Sequence, residues 1–537
     1  MSNATKTVTK AAGIMMAAIL VSRLLGLVRE MVIASKFGVG SEVDAYGVAF
    51  QLPDLLYFLL SSGALSAAFI PVFTEYLTKG EEKEAWKVFS IVGTFIFLVL
   101  TFFIVVCEVL APVLVPLFAP GEFIAEHGDA LGLAVRLTRI VLPAQLFFLV
   151  GGLVMATLYS RKHFLTPAMG PIIYNTGIIC GGLFLADRLG IEGLTWGVLA
   201  GAFIGNFVLQ IIVARRFGAV YTPSLNLRHP GVVKVGKLAL PVMLGLSLPY
   251  VDVIVNRAFA SMISEGAIAA LNYANRLMQM PLGVFAQASA VALFPTLAAH
   301  AAQKQMAELR DGVNLGLRGV LFLTIPSSVL MMVLATPMVR MLFQHGEFVP
   351  ADAPYVGYAL IFYSVGLAGW AGQLVVSRGF YALQESITPV ISGTIVTAIF
   401  IPLNWLLIKP LGHGGPPMAT SIAVILHLLI MLAILRKRLN GLNGGLIMNS
   451  LSKVTLASVV CGGAAWIAFR YCGRLVDTTT QSGAGVGVLV AGGIGVLVYA
   501  GLVSLLKVDE AAEVWGQITR RFRRKIAESR PQTADTE

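Results

Sequence analysis

The stretch SRLLGLVRE, residues 22–30, sets Arg23, Arg29 and Glu30 inside an apolar run from about Ala11 to Ala34. An arginine near a bilayer centre costs roughly 2.5–3.5 kcal/mol on insertion scales, so such a side chain must face protein, water or a ligand. Arg136, Arg139, Arg257, Arg276 and Arg318 lie in comparable apolar surroundings. A guanidinium is planar, stays charged and presents paired N–H donors, a geometry suited to phosphate or pyrophosphate. Glu30 lies seven residues after Arg23, on nearly the same helical face, and reads as a carboxylate that holds an arginine while the site is empty. Arg318 is near enough to one membrane surface to reach headgroups along its own stem and is set aside.

Those charges need long apolar elements to carry them. The chain of 537 residues is 57% apolar and only 12% charged, with a mean hydropathy of +0.82, where soluble domains carry about 25% charged residues. Apolar stretches of about 20 residues, enough to cross a bilayer, recur along its whole length. The pattern predicts an all-α polytopic membrane protein with fourteen transmembrane helices. They are placed at 11–35, 45–72, 86–112, 130–158, 167–187, 193–214, 235–263, 269–299, 313–336, 355–380, 388–409, 415–437, 452–475 and 485–507. With the N-terminus inside, twenty-six Lys and Arg fall on inner segments and six on outer ones, as the positive-inside rule requires. Both termini are expected to be cytoplasmic. Arg23 then lies near mid-membrane, while Arg29, Arg136, Arg139, Arg257 and Arg276 fall in the outer half. In an inward-open state that region would be the apex of a cavity.

The chain also repeats itself. SAAFIPVFTEY (66–76) resembles AVALFPTLAAH (290–300), and APVLVPLFAPGEF (111–123) resembles TPMVRMLFQHGEF (336–348). Thr166-Pro167 answers Thr388-Pro389, and Tyr159 answers Tyr381. Six helices per repeat give both halves the same orientation, so their pseudo-twofold axis runs along the membrane normal, as in parallel-repeat transporters. The expected organisation is an N-terminal lobe over 1–215, a cytoplasmic linker over 216–234 and a C-terminal lobe over 235–437. Two extra helices follow within 438–507, then a basic tail over 508–537. In that tail Trp515, Ile518, Phe522 and Ile526 share one helical face, as in a helix lying on anionic lipid, with a solvated charged tail as the alternative.

Several classes are disfavoured. The +11 net charge is mostly an orientation signal, and nothing suggests nucleic-acid binding. The four cysteines lack metal-ligand spacing, the seven histidines are dispersed, and no nucleophile constellation suggests an enzyme. The first apolar segment is too long and too charged for a cleaved signal.

SRLLGLVRE, the following FGVGSEVDAYGVAFQLPDLLYFLLSSGALSAAFIPVFTEY, and the later NYANRLMQMPLGV, LFQHGEF and FYALQESITPV resemble the MurJ (MviN) lipid II flippase family. That family is a branch of the multidrug/oligosaccharidyl-lipid/polysaccharide exporter superfamily, and the resemblance spans about residues 10–440. It implies movement of undecaprenyl-pyrophosphate-linked disaccharide-pentapeptide, lipid II, to the outer leaflet of the bacterial cytoplasmic membrane by alternating access. It further implies peptidoglycan biosynthesis as the process, membrane lipids and cell-wall synthesis machinery as partners, and a tail groove at the last two helices. Arg23, Arg29 and Arg276 fall on family cavity arginines, Glu30 on an acidic position and Asp44 on a helix-2 aspartate. Arg257, Arg139 and Arg136 complete the expected pyrophosphate site. Tyr57 stands where the family has a further arginine, and Asn275 where some members have aspartate. No cofactor is expected; sodium, a proton or the membrane potential could drive transport, with Asp252, Asn256 and Asn404 as candidate cation ligands. Flippases of other lipid-linked oligosaccharides share the pyrophosphate requirement. A multidrug/cation antiporter would want acidic or aromatic cavity residues, and a membrane scaffold would need no internal charge cluster.

Overall fold

The computed structural model describes residues 3–60, 64–120, 128–247 and 251–512. Every regular element among them is helical. Helical residues occur in each of the fourteen predicted intervals, and among the described residues ten helices are long and apolar enough to cross a membrane. One of these, Ile387–Arg438, is a run of 52 residues that spans two predicted intervals. The second interval holds the helices Ser41–Ala49, Gln51–Leu60 and Ala64–Thr78, and the seventh holds Pro230–Ser247 and Val251–Ala260.

Prolines set other breaks. Gly128–Val141 stops before Pro143, and Ala144–Ser160 starts just after it, because proline offers no N–H to the preceding turn. Pro337 has the same effect after Met306–Val333. The chain restarts as a short helix, Ala335–Phe343, which the hydropathy reading did not separate. The tail residues Trp515, Ile518, Phe522 and Ile526 lie outside the described residues.

Two compact units emerge. The first holds residues up to Tyr273 together with Phe343–Asp352 and Ile401–Pro416. Its long helix Asn3–Phe37 packs against Leu165–Cys180, which packs in turn on Glu192–Gly201. Phe69, Phe73, Trp86 and Phe89 form an aromatic core, with Phe73 and Trp86 meeting edge-on at 5.1 Å between ring centroids. The linker is bound to this unit: Tyr221 and Thr94 share a hydroxyl hydrogen bond of 2.9 Å, and the Thr222 amide donates to Ser90 Oγ at 3.1 Å.

The second unit holds Ala274–Leu342, Ala353–Phe400 and the residues after Pro416. Met306–Val333, Gly444–Cys472 and Gln481–Leu505 pack together around Phe322, Cys461 and Tyr499. The Tyr499 hydroxyl donates to the Phe322 carbonyl at 2.6 Å, which satisfies its polar end inside that core. Half-buried His427 shares hydrogen bonds with Gln373 (2.9 Å) and Ser392 (3.0 Å).

Candidate functional site

Arg29 is the best-defined charge inside the first unit. Its side chain is only 16% exposed, on a helix face covered by Leu165–Cys180. Nη2 meets Glu30 Oε1 at 2.5 Å, and Nη1 donates to Asn175 Oδ1 at 3.2 Å. The Asn175 amide donates to the carbonyls of Pro171 (3.0 Å) and Ser22 (3.3 Å), so its oxygen is held toward the arginine. Tyr46 and Tyr174 lie within electrostatic reach of the guanidinium. The buried Arg29 Nε–H has no acceptor. A buried donor without a partner carries its full desolvation penalty, which an incoming anionic oxygen would relieve. Glu30 does hold an arginine, its own neighbour. Arg23 sits exposed two turns earlier on the same helix.

Asp44 has a different setting from the one expected. It is grouped by sequence with the anion-binding residues, yet it is 1% exposed. Its carboxylate oxygens accept from the backbone N–H groups of Gly266 (2.7 Å) and Ala269 (2.8 Å). Asp44 therefore caps the start of the Ala267–Pro281 helix, where the unsatisfied N–H groups and the helix dipole favour a carboxylate.

That cap belongs to a closed seam within the first unit. The Ser41 amide donates to Glu265 Oε1 (2.9 Å), the Glu347 amide to the Ser35 carbonyl (2.8 Å), and the Tyr273 hydroxyl to the Gly38 carbonyl (3.1 Å). The Tyr273 ring packs on Phe343 at 5.1 Å and Phe348 at 6.2 Å. Gly346 has φ +63°, and a Cβ there would lie 2.1 Å from the Ser35 carbonyl oxygen. So HGEF, which enters the sequence reading only as a repeat landmark, supplies backbone close enough to seal the seam.

The remaining predicted residues divide. Arg136 Nε donates to Glu192 at 3.3 Å and Arg139 Nε to the Glu108 carbonyl at 3.1 Å, and both arginines are largely exposed. That geometry fits surface pairing, and neither side chain joins the buried Arg29 group. Arg257 is half-buried and its Nη1 has no partner. Arg276 is half-buried within the second unit. Asn256 is half-buried and Asn404 fully buried; the Asp252 side chain lies outside the described residues. Tyr57, at the family arginine position, packs edge-on with Phe58 (5.8 Å) and Phe148 (6.2 Å). Arg318, set aside by sequence, is paired with Asp509 at 2.9 Å and with buried Glu510. Asn175 was missed because an asparagine in an apolar helix carries no distinguishing signal until its partner is known.

The model of the family "Lipid II flippase MurJ" matches residues 33–479. The chain belongs to the MurJ family. A probable lipid II flippase MurJ of Vibrio cholerae serotype O1 is 31% identical over 79% of this chain and 82% of its own length. A solved lipid II flippase MurJ in an inward closed conformation is 26% identical, with a TM-score of 0.77, over 92% of this chain and 99% of that one. A multidrug resistance MATE transporter of the MOP superfamily in an inward-facing conformation is 15% identical, with a TM-score of 0.64, over 79% of this chain and 96% of its own, and so shares the fold. MurJ membership, with the apolar helices, makes this a multi-pass protein of the bacterial inner membrane and a transporter rather than an enzyme.

Proposed function

We infer that this protein is a lipid II flippase that moves undecaprenyl-pyrophosphate-linked peptidoglycan precursor from the inner to the outer leaflet for cell-wall synthesis. Membership of the MurJ family supports the substrate. The observation that carries the site is Arg29, a buried arginine with one carboxylate neighbour and a spare N–H aimed at no acceptor. A pyrophosphate brings several acceptor oxygens and more negative charge than Glu30 offers, so it would compete for the fork. On its departure Glu30 would again hold the guanidinium, which keeps the empty site from trapping a permanent unpaired charge.

In this reading the chain crosses the membrane fourteen times with both termini cytoplasmic. Six-helix lobes over 1–215 and 235–437 alternate access around the head group, with the linker, the two extra helices and the tail as delimited above. The seam at Ser35, Asp44, Tyr273 and Gly346 then lies on the outer side and must part to release substrate. Arg23, Arg257 and Arg276 are assigned to the same anion path, with Arg136 and Arg139 at its outer, exposed end. Asp252, Asn256 and Asn404 remain the residues assigned to a coupling cation, sodium or a proton, with the membrane potential as the other energy source. Membrane lipids and cell-wall synthesis enzymes are the proposed partners.

The test is lipid II reaching the outer face of cells depleted of their own flippase, read with a membrane-impermeant degrading enzyme. Wild type should restore it, and Arg29→Ala at matched surface expression should not. Well-expressed wild type that restores nothing would overturn the substrate assignment.

A further inference from the structure

One feature of the first unit has no part in transport as described above. A cavity of about 240 Å³ opens between the Glu82–Phe118 helix, the Pro230–Ser247 helix and the linker. Its walls include Val92, Phe95, Val99, Leu227, Val235 and Gly236, with no polar side chain among its lining residues. Water needs two to four polar partners to occupy such a space, and apolar cavities of roughly 150 Å³ stay dry and take up hydrocarbon. Phe95 is 42% exposed and Leu227 44%, so the cavity is open at its side rather than sealed in the core. Phe95 lies nine residues beyond Trp86, or about 13 Å along the helix. Position 86 opens the expected membrane span 86–112, which puts the mouth at acyl-chain depth. The linker closes one end because Tyr221 and Ser224 are tied to Thr94, at 2.9 and 3.4 Å, which draws Leu227 over the opening.

The charges beside this cavity are selective. Lys234 is engaged by Glu75, and His229 lies 3.2 Å from Glu84. Arg228, next to Leu227, and Lys237, next to Gly236, are exposed, and among the described residues neither has a carboxylate within ion-pair distance. Both stems are long enough to bring a cation to the headgroup level above a chain seated in the cavity. We propose that the cavity binds one acyl chain of an anionic phospholipid, whose phosphate is held by Arg228 and Lys237. The site is separate from Arg29 and does not depend on which substrate is transported.

Full-length protein in nanodiscs, with photoactivatable acyl-chain phosphatidylglycerol or phosphatidylcholine as the probe, tests this by mapping cross-linked peptides. Phosphatidylglycerol should label residues 92–100 and 227–239 at least fivefold more than phosphatidylcholine. A Cβ at Gly236 would meet nothing within 4 Å, so Gly236→Phe can fill the space. It should cut labelling of both segments at least fivefold, with Gly236→Leu as the smaller substitution if the first folds poorly. Arg228→Ala with Lys237→Ala should erase the preference for phosphatidylglycerol and leave the depth of labelling unchanged. Equal labelling by the two probes in wild type, or labelling insensitive to both Gly236 variants, would overturn the proposal. Displacement by equimolar polyprenyl phosphate would also overturn it and make the cavity a seat for an isoprenoid tail.

Discussion

Arg29 and Arg318 are both buried arginines on long helices, one in each compact unit, and they are held in opposite ways. Arg318, 11% exposed, sits between Asp509 and Glu510, and Ser450 donates to the same Glu510 oxygen at 3.1 Å. Two carboxylates meet one guanidinium. Arg29 has a single carboxylate, one amide oxygen and an Nε–H with no acceptor. In the first arrangement the guanidinium meets two carboxylates and the unpartnered buried atom is on the acid, Glu510 Oε2; in the second the unpartnered atom is a donor, Arg29 Nε, which the proposed function assigns to an incoming anion. Burial of an arginine is thus uninformative until its acceptors are counted.

The comparison is most exposed to failure at Arg29. Arg29→Ala should lower lipid II externalisation at least about tenfold, the scale of one lost charge-assisted contact, with surface level unchanged. Arg29→Lys should recover only part, because an ammonium lacks the fork. If Arg29→Ala instead reduces folded protein while transport per molecule holds, the two arginines are alike and the contrast collapses.

Arg318→Ala should do the reverse. It leaves Glu510, 3% exposed, without its cation, and breaking a buried pair costs about 3–5 kcal/mol. Lower yield and unfolding temperature are expected, with transport per folded molecule intact. Adding Glu510→Gln should restore much of the loss.

Gly346→Ala places a Cβ 2.1 Å from the Ser35 carbonyl at φ +63°. Disulfide formation between Ser35→Cys and Glu347→Cys should fall several-fold in that background if the seam closes as described. Asn175→Ala removes a neutral acceptor from Arg29, worth about 1 kcal/mol, so transport should change by about fivefold or less.

The smallest effect belongs to the surface ion pairs. Lys234 and Lys79 hold the Glu75 carboxyl down at about 2, from an ordinary 4.5. Because the folded value is depressed, its stabilising contribution is present above pH 4.5 and is lost as pH falls toward 2. Lys234→Ala should raise the Glu75 pKa, read by carboxyl titration, and leave stability near neutral pH almost unchanged because the pair is exposed.

Much of this was legible in the sequence, for particular reasons. Length and apolarity of runs such as 86–112 and 355–380 announce helices that must pack or meet lipid, but the breaks at Pro143 and Pro337 were not legible, since prolines such as Pro326 and Pro402 sit inside unbroken helices. Arg29 and Glu30 stand out because the surrounding residues are suited to hydrocarbon. Asp44 entered through the family resemblance as a cavity residue; its capping role was not readable, since the Gly266 and Ala269 amides it caps lie more than 220 residues away. Arg318 was set aside as able to reach the membrane surface, and its actual pairing was not readable, its carboxylates being 191 and 192 residues distant.

By itself, then, the sequence determined the class of molecule, the repeat and the rarity of charge within the Asn3–Phe37 helix, because hydropathy and periodicity are properties of neighbouring residues. Tertiary structure alone decided which arginines are neutralised, which keep a donor to spare, and that Asp44 and Gly346 close a seam. Those outcomes depend on whether an acceptor arrives from a distant segment within about 3 Å, the reach of a hydrogen bond, and no local pattern encodes that arrival.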